Sequence, residues 1–160
     1  MLIQIPAEVE LFGKRADCPV TISVEPHETT GEAEIRLTIA FPRGTIRVGA
    51  IFYRRDLPEF ARSLKEFAAA PAGYAYIPDY EGFMQLSFYA VEGDETTIAM
   101  GGDMCEYLMD APGQRSPMVE SMNGHLSPWL LRVCFQAVIV PRRSVADLGE
   151  MLQAFAGGTA

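Results

Sequence analysis

The chain has 160 residues, of which 49% are hydrophobic and 21% charged, a balance that suits one folded domain with a real core and excludes a disordered polypeptide. A net charge of −8 argues against nucleic acid as a partner, because phosphate contacts need clustered Lys and Arg. No apolar run approaches the roughly 20 residues that span a bilayer, and Met1-Leu2-Ile3-Gln4-Ile5-Pro6 runs without a basic residue into Glu8 and Glu10, unlike a secretory signal.

Taken in chain order, residues 20–25 read as a short strand closed by Pro26. Residues 32–41 alternate, with Ala33, Ile35, Leu37, Ile39 and Phe41 on one face and Glu32, Glu34, Arg36 and Thr38 on the other, the pattern of a half-buried antiparallel strand. Pro42-Arg43-Gly44 supplies a turn, and residues 45–53 return with Ile46, Val48, Ala50 and Phe52 inward. A helix follows, with Asp56 as N-cap, Glu59 completing a capping box, and Leu57, Phe60, Leu64 and Phe67 as its apolar stripe.

Further strands are predicted at 74–77, 82–91 and 96–100, with Met84, Leu86, Phe88 and Ala90 inward on the middle one. Residues 92–95 form a turn. Residues 104–109 suit either an extension of the third strand or a turn of helix, and 111–123 read as the longest loop. Residues 130–140 make the strongest strand, with Leu131, Val133, Phe135, Ala137 and Ile139 on one face. A second helix is capped by Ser144, carries Val145, Leu148, Leu152 and Phe155, and stops at Gly157-Gly158.

Residues 51–69 and 139–157 repeat one sentence at a constant offset of 88 positions: an apolar run, an Arg-Arg pair, a capping residue, then apolar positions at i, i+3, i+7 and i+10. The expectation is one α+β domain over 1–160, an antiparallel sheet covered on one face by two helices, built from two pseudo-equivalent strand–helix units ending near 70 and 157.

The standard catalytic and metal constellations are missing from this pattern. His27 and His125 are far apart with no cysteine beside either, so neither zinc nor a cofactor is expected. Three widely spread cysteines, Cys18, Cys105 and Cys134, read as reduced thiols of a cytoplasmic protein. No nucleotide loop precedes either helix; both junctions carry Arg-Arg instead. Those pairs, Arg54-Arg55 and Arg142-Arg143, either hold an anion or pair with the nearest acidic residue, and local pairing is the preferred reading. No catalytic residue is assigned.

Charge and aromatic content point elsewhere. Between Lys65 and Arg115 there is no Lys or Arg, while Glu66, Asp79, Glu81, Glu92, Asp94, Glu95, Asp103, Glu106 and Asp110 all fall there. Tyr74, Tyr76 and Tyr80 sit in the same stretch, with Tyr74 and Tyr76 sharing one strand face. Such rings either pack beneath the end of the first helix or form a contact surface, since Tyr offers a large apolar area with a polar tip. The candidate partner-binding set is therefore Tyr74, Tyr76, Asp79, Tyr80 and Glu81.

Arg54-Arg55-Asp56-Leu57 with Phe60 and Leu64, followed by Tyr80-Glu81-Gly82-Phe83-Met84-Gln85-Leu86-Ser87-Phe88, resembles the WapI-type immunity proteins of bacterial contact-dependent toxin systems, over about residues 46–156. The resemblance implies a non-enzymatic protein that masks a basic toxin partner. It departs from the family at Val140-Pro141-Arg142-Arg143-Ser144 and in a long loop over 101–128. The alternative is a self-associating assembly domain, a homodimer formed through the sheet face that no helix covers.

Overall fold

The computed structural model describes residues 1–11, 13–42, 44–70, 72–78, 84–107 and 129–158. Among the described residues, ten strands and two helices follow in the order β1 (Leu2–Ile5), β2 (Glu8–Leu11), β3 (Lys14–Asp17), β4 (Val20–Pro26), β5 (Ala33–Phe41), β6 (Gly44–Phe52), α1 (Leu57–Ala69), β7 (Tyr74–Pro78), β8 (Met84–Val91), β9 (Asp94–Tyr107), β10 (Trp129–Pro141) and α2 (Arg142–Gly157). The fold is α+β and every strand pair is antiparallel, as the alternating pattern requires. Of the ambiguous stretch 104–109, residues 104–107 extend the strand, and 108 and 109 lie outside the described residues.

The strands divide between two sheets rather than one. The first has the order β1-β4-β5-β6 and the second β3-β2-β10-β9-β8-β7. Each half of the chain thus contributes a four-stranded meander and a closing helix: β1, β4, β5, β6 and α1, then β7, β8, β9, β10 and α2. The β2–β3 hairpin breaks the symmetry. It leaves the first half and pairs on the outer edge of β10, Val9 opposite Val138 and Glu8 opposite Ile139.

Both sheets and both helices feed one buried cluster. From the first half come Ile22, Ile35, Leu37, Ile39, Phe52, Leu57 and Leu64; from the second, Ile77, Leu86, Phe88, Met100, Val138, Val145 and Leu152. Burying each Phe, Leu or Ile contributes about 1.5–3 kcal/mol, so the alternation of β5 and the helical stripes set the inward faces.

One inward face differs from the simple alternation. Val138 and Val140 are fully buried on β10, and Ile139 is not. The β10–β9 ladder slips by one residue between Phe135 and Val138. A bulge of this kind exchanges the two faces of every residue beyond it, which unbroken period-two reading cannot anticipate.

Both helix starts also differ. Asp56 stands at the N-cap of α1 but is itself helical (φ −90°, ψ −17°) and makes no side-chain cap, because a 3-10 turn over Arg54–Asp56 leads into the helix. The Arg54 N–H is instead taken by the Glu32 carboxylate at 2.6 Å, from the residue before β5. In α2 the helix begins at Arg142 behind Pro141, so Ser144 is a buried residue of the first turn and not the cap.

The two Arg-Arg pairs settle into unlike roles. Arg55 pairs locally with Asp56 at 3.6 Å, whereas Arg54 and Arg142 reach across to the opposite helix. Arg54 Nη2 donates to Phe155 O at 3.0 Å and to Gly158 O, with its guanidinium 4.9 Å from the Phe155 ring centre. Arg142 Nη1 donates to Phe67 O at 3.3 Å and to Ala70 O, with its guanidinium 6.0 Å from the Phe67 ring centre. The 88-residue offset maps each partner onto its counterpart: Arg54 to Arg142, Phe67 to Phe155, Ala70 to Gly158. Each helix therefore has C-terminal carbonyls capped by a cation from the start of the other, which makes the pair antiparallel. They touch where Gly149 faces Ala61, again 88 positions apart. A Cβ on Gly149 would lie 2.9 Å from Ala61 O.

Candidate functional site

Strand β7 is an edge strand of the second sheet and pairs with β8, Tyr74 opposite Tyr89, Tyr76 opposite Ser87 and Ile77 opposite Leu86. Ala75 and Ile77 point into the core at 3% and 2% exposure, which turns Tyr74 and Tyr76 outward at 67% and 48%. They do not pack beneath α1. Tyr89 joins them at 49% exposure. The Tyr74 ring stacks on Tyr76 at 6.4 Å between centres and 20° between planes, and on Tyr89 at 6.5 Å and 25°.

Three parallel rings at a sheet rim form a rigid apolar surface with phenolic tips, and two χ angles each leave little side-chain freedom to lose on contact. Farther into the sheet the same face carries small residues: Ser87 next to Tyr76, Ala99 opposite Tyr89 and Gly101 opposite Ser87. Ser87 and Gly101 are themselves buried.

Acidic groups lie at one end of this surface. The turn after β8 begins three residues past Tyr89 and carries exposed Glu92 and Glu95 with Asp94 between them. The Asp94 carboxylate accepts the hydroxyls of Thr97 (2.6 Å) and Thr96 (2.7 Å) and the backbone N–H groups of Thr96 (2.8 Å) and Thr97 (3.2 Å). The Thr97 hydroxyl, then the Thr96 hydroxyl and N–H, hold its carboxyl well below the usual carboxylate range. Asp94 thus stays charged and fixes the turn.

Of the five candidate residues, Tyr74 and Tyr76 come together at the rim, and Asp79, Tyr80 and Glu81 lie outside the described residues. Tyr89 was missing from the candidate set. Its outward position follows from alternation in β8, but its place beside Tyr74 depends on the β7–β8 register.

Other chemistry-bearing groups are dispersed. His27 sits on the exposed turn between β4 and β5, its Nδ1 3.1 Å from Thr30 Oγ1. Cys18 is a buried free thiol whose pKa burial raises, so it is held protonated. His125 lies outside the described residues, as do the side chains of Cys105 and Cys134. Among the described residues no three His, Cys, Asp or Glu side chains gather as metal ligands, and no helix is long and apolar enough to cross a membrane.

The outer face of the first sheet contrasts with the tyrosine rim. Arg36 there pairs with Glu34 at 2.8 Å and Glu25 at 3.6 Å, so this face is polar where the rim is aromatic.

No protein-family model matches this chain, and no curated protein sequence matches it significantly. The functional reading rests on the residues themselves.

Proposed function

We propose that the chain is a non-enzymatic protein-binding domain that engages a basic protein partner through the tyrosine rim of β7 and β8. The observation that carries this reading is the stack of Tyr74 and Tyr76, on the edge strand β7, with Tyr89 on the neighbouring strand β8, all about half exposed or more. Aromatic anchors of this kind supply most of the energy at protein interfaces. Tyr faces attract Lys and Arg, and the absence of any Lys or Arg between 65 and 115 leaves the surroundings acidic enough to steer a basic partner in. In the form implied by the resemblance to WapI-type immunity proteins, the partner is a bacterial toxin that the domain masks. A second copy of the chain is the competing occupant, disfavoured because each copy carries −8.

The test compares the tagged protein with a Tyr74→Ser/Tyr76→Ser variant as bait in lysate of the source cells, with a salt-step elution and light scattering of each bait alone. The expected result is one basic protein held stoichiometrically by the parent, released by salt, and absent from the variant. A partner held equally by both baits would overturn the assignment of the rim, and a parent that is dimeric with nothing bound would overturn the heteromeric reading.

A further inference from the structure

The hydrogen-bond register of β7 leaves one of its two backbone edges open. Ala90 N–H donates to Gly73 O at 3.2 Å, and the ladder continues with Tyr74 opposite Tyr89 and Ala75 opposite Phe88. Bonded and non-bonded positions alternate in an antiparallel pair, so Gly73, Ala75 and Ile77 turn their N–H and C=O groups toward β8. Tyr74 and Tyr76 turn theirs the other way, to the side of β7 where their backbone has no partner among the described residues. Pro78 stands in the same outward register, opposite Gln85, where its missing N–H costs the β8 ladder nothing.

Edge strands are commonly blunted by charged side chains. Of the other edges among the described residues, β3 carries exposed Lys14, Arg15 and Asp17, and β6 carries exposed Arg47. β1 is uncharged but presents no aromatic row. β7, Tyr74-Ala75-Tyr76-Ile77-Pro78, has no charge at all. Its two residues with outward backbone groups are the ones whose rings stack on the solvent side. A donor, an acceptor and an aromatic face thus recur together at every second residue.

We propose, resting on the reading of the tyrosine rim as the partner surface, that the partner docks by strand addition. An extended segment with basic residues at every second position, and apolar residues between them, pairs antiparallel with β7. The basic residues lie opposite Tyr74 and Tyr76, exchange backbone hydrogen bonds with them, and rest their cations on the rings. The apolar residues point to the face on which Ala75 and Ile77 are buried. The preference for cations follows from the surrounding sequence, since residues 66–114 hold nine Asp or Glu and no Lys or Arg. A second copy of β7 would bring no cation to the rings.

The test titrates the isotope-labelled full chain with acetylated, amidated Val-Arg-Val-Arg-Val and with two N-methyl isomers of it, followed by NMR amide exchange. In the free chain the Ala75 and Ile77 amides should exchange slowly and those of Tyr74 and Tyr76 fast. The parent peptide should bind saturably, with a Kd of about 1 mM or tighter, and slow the Tyr74 and Tyr76 amides. Methylation of both arginine amides, which face β7, deletes two ladder bonds and should weaken binding about tenfold. Methylation of the second and third valine amides, which face away, should leave the affinity within about twofold. Equal binding of the two isomers, with loss in the Tyr74→Ser/Tyr76→Ser variant, would overturn strand addition and leave the rim a side-chain surface. Absence of saturable binding by the parent peptide would also overturn strand addition. A chain that is dimeric, with the Tyr74 and Tyr76 amides protected before any peptide is added, would give the edge to a second copy and overturn the proposal. Failure of the rim itself reads out separately, as lysate capture that survives the tyrosine substitutions.

Discussion

Arg54 and Arg142 do the same work at opposite ends of the helix pair, yet their neighbourhoods predict different costs on removal. A charge-assisted hydrogen bond to a helix end contributes about 1.5–3 kcal/mol, and a buried unpaired donor costs about 1–3 kcal/mol. Arg54→Ala loses the first term alone and should destabilise by about 1.5–3 kcal/mol. Arg142→Ala also removes two buried, unpartnered nitrogens, so its loss should be the smaller in denaturant melts. An equal or larger loss would contradict that ordering. Gly149→Ala sets a helix-propensity gain of about 1 kcal/mol against a Cβ at 2.9 Å from the Ala61 carbonyl. A backbone oxygen cannot swing aside, and overpacking costs about 1–3 kcal/mol, so a net loss is expected. Gly157→Ala, with open space around it, should show none. For Asp94 the folded pKa lies below the unfolded value of about 3.9, so its stabilisation is complete above that pH and fades as pH falls through the folded value. Asp94→Ala should therefore melt below the parent at pH 7, and the gap should narrow in strong acid; a gap constant from neutral to acid would contradict this. The reciprocal arginines were half legible: their repetition was plain in the sequence, but their targets lie about a hundred residues away in one case and over seventy in the other.

At the scale of elements, β4, β5, β6, β7, β8 and both helical stripes were legible because one face of each must be buried and the period shows it. The first three strands were not. Four residues each are too few to show a period, and β2, which carries β3 as its hairpin partner, is held by pairing with a strand more than 120 residues away. Pairing chemistry also explains the shifted caps, since Glu32 reaches Arg54 through the β5–β6 hairpin rather than along the helix. The tyrosine rim was legible in part. Alternation turns Tyr74 and Tyr76 to one face, but outward or inward depends on what α1 covers, and the third ring enters only through register. Because the rings are solvent-exposed, Tyr74→Ser/Tyr76→Ser should change the melting temperature by little while removing partner capture. A large drop in melting temperature would mean that the rings are structural.

Across the whole molecule, two copies of a four-strand-plus-helix unit are locked by three exchanges. The β2–β3 hairpin lies on the second sheet, α2 packs on β1 and α1 on β7, and each helix caps the other. One buried cluster draws on both halves. Unfolding should therefore be a single cooperative transition, and fragments 1–70 and 72–160 should each fail to fold alone while regaining structure when mixed. Two separate transitions would contradict the exchange. The division into two sheets did not show in the 88-residue repeat, because the hairpin that widens the second sheet comes from the first half. The measurement that bears most directly on the central claim is hydrogen–deuterium exchange of the chain with and without its captured partner. Slowed exchange confined to residues 74–78 and 84–91 is the predicted result. Protection centred on the Arg36 face of the first sheet, with 74–91 unchanged, would contradict it.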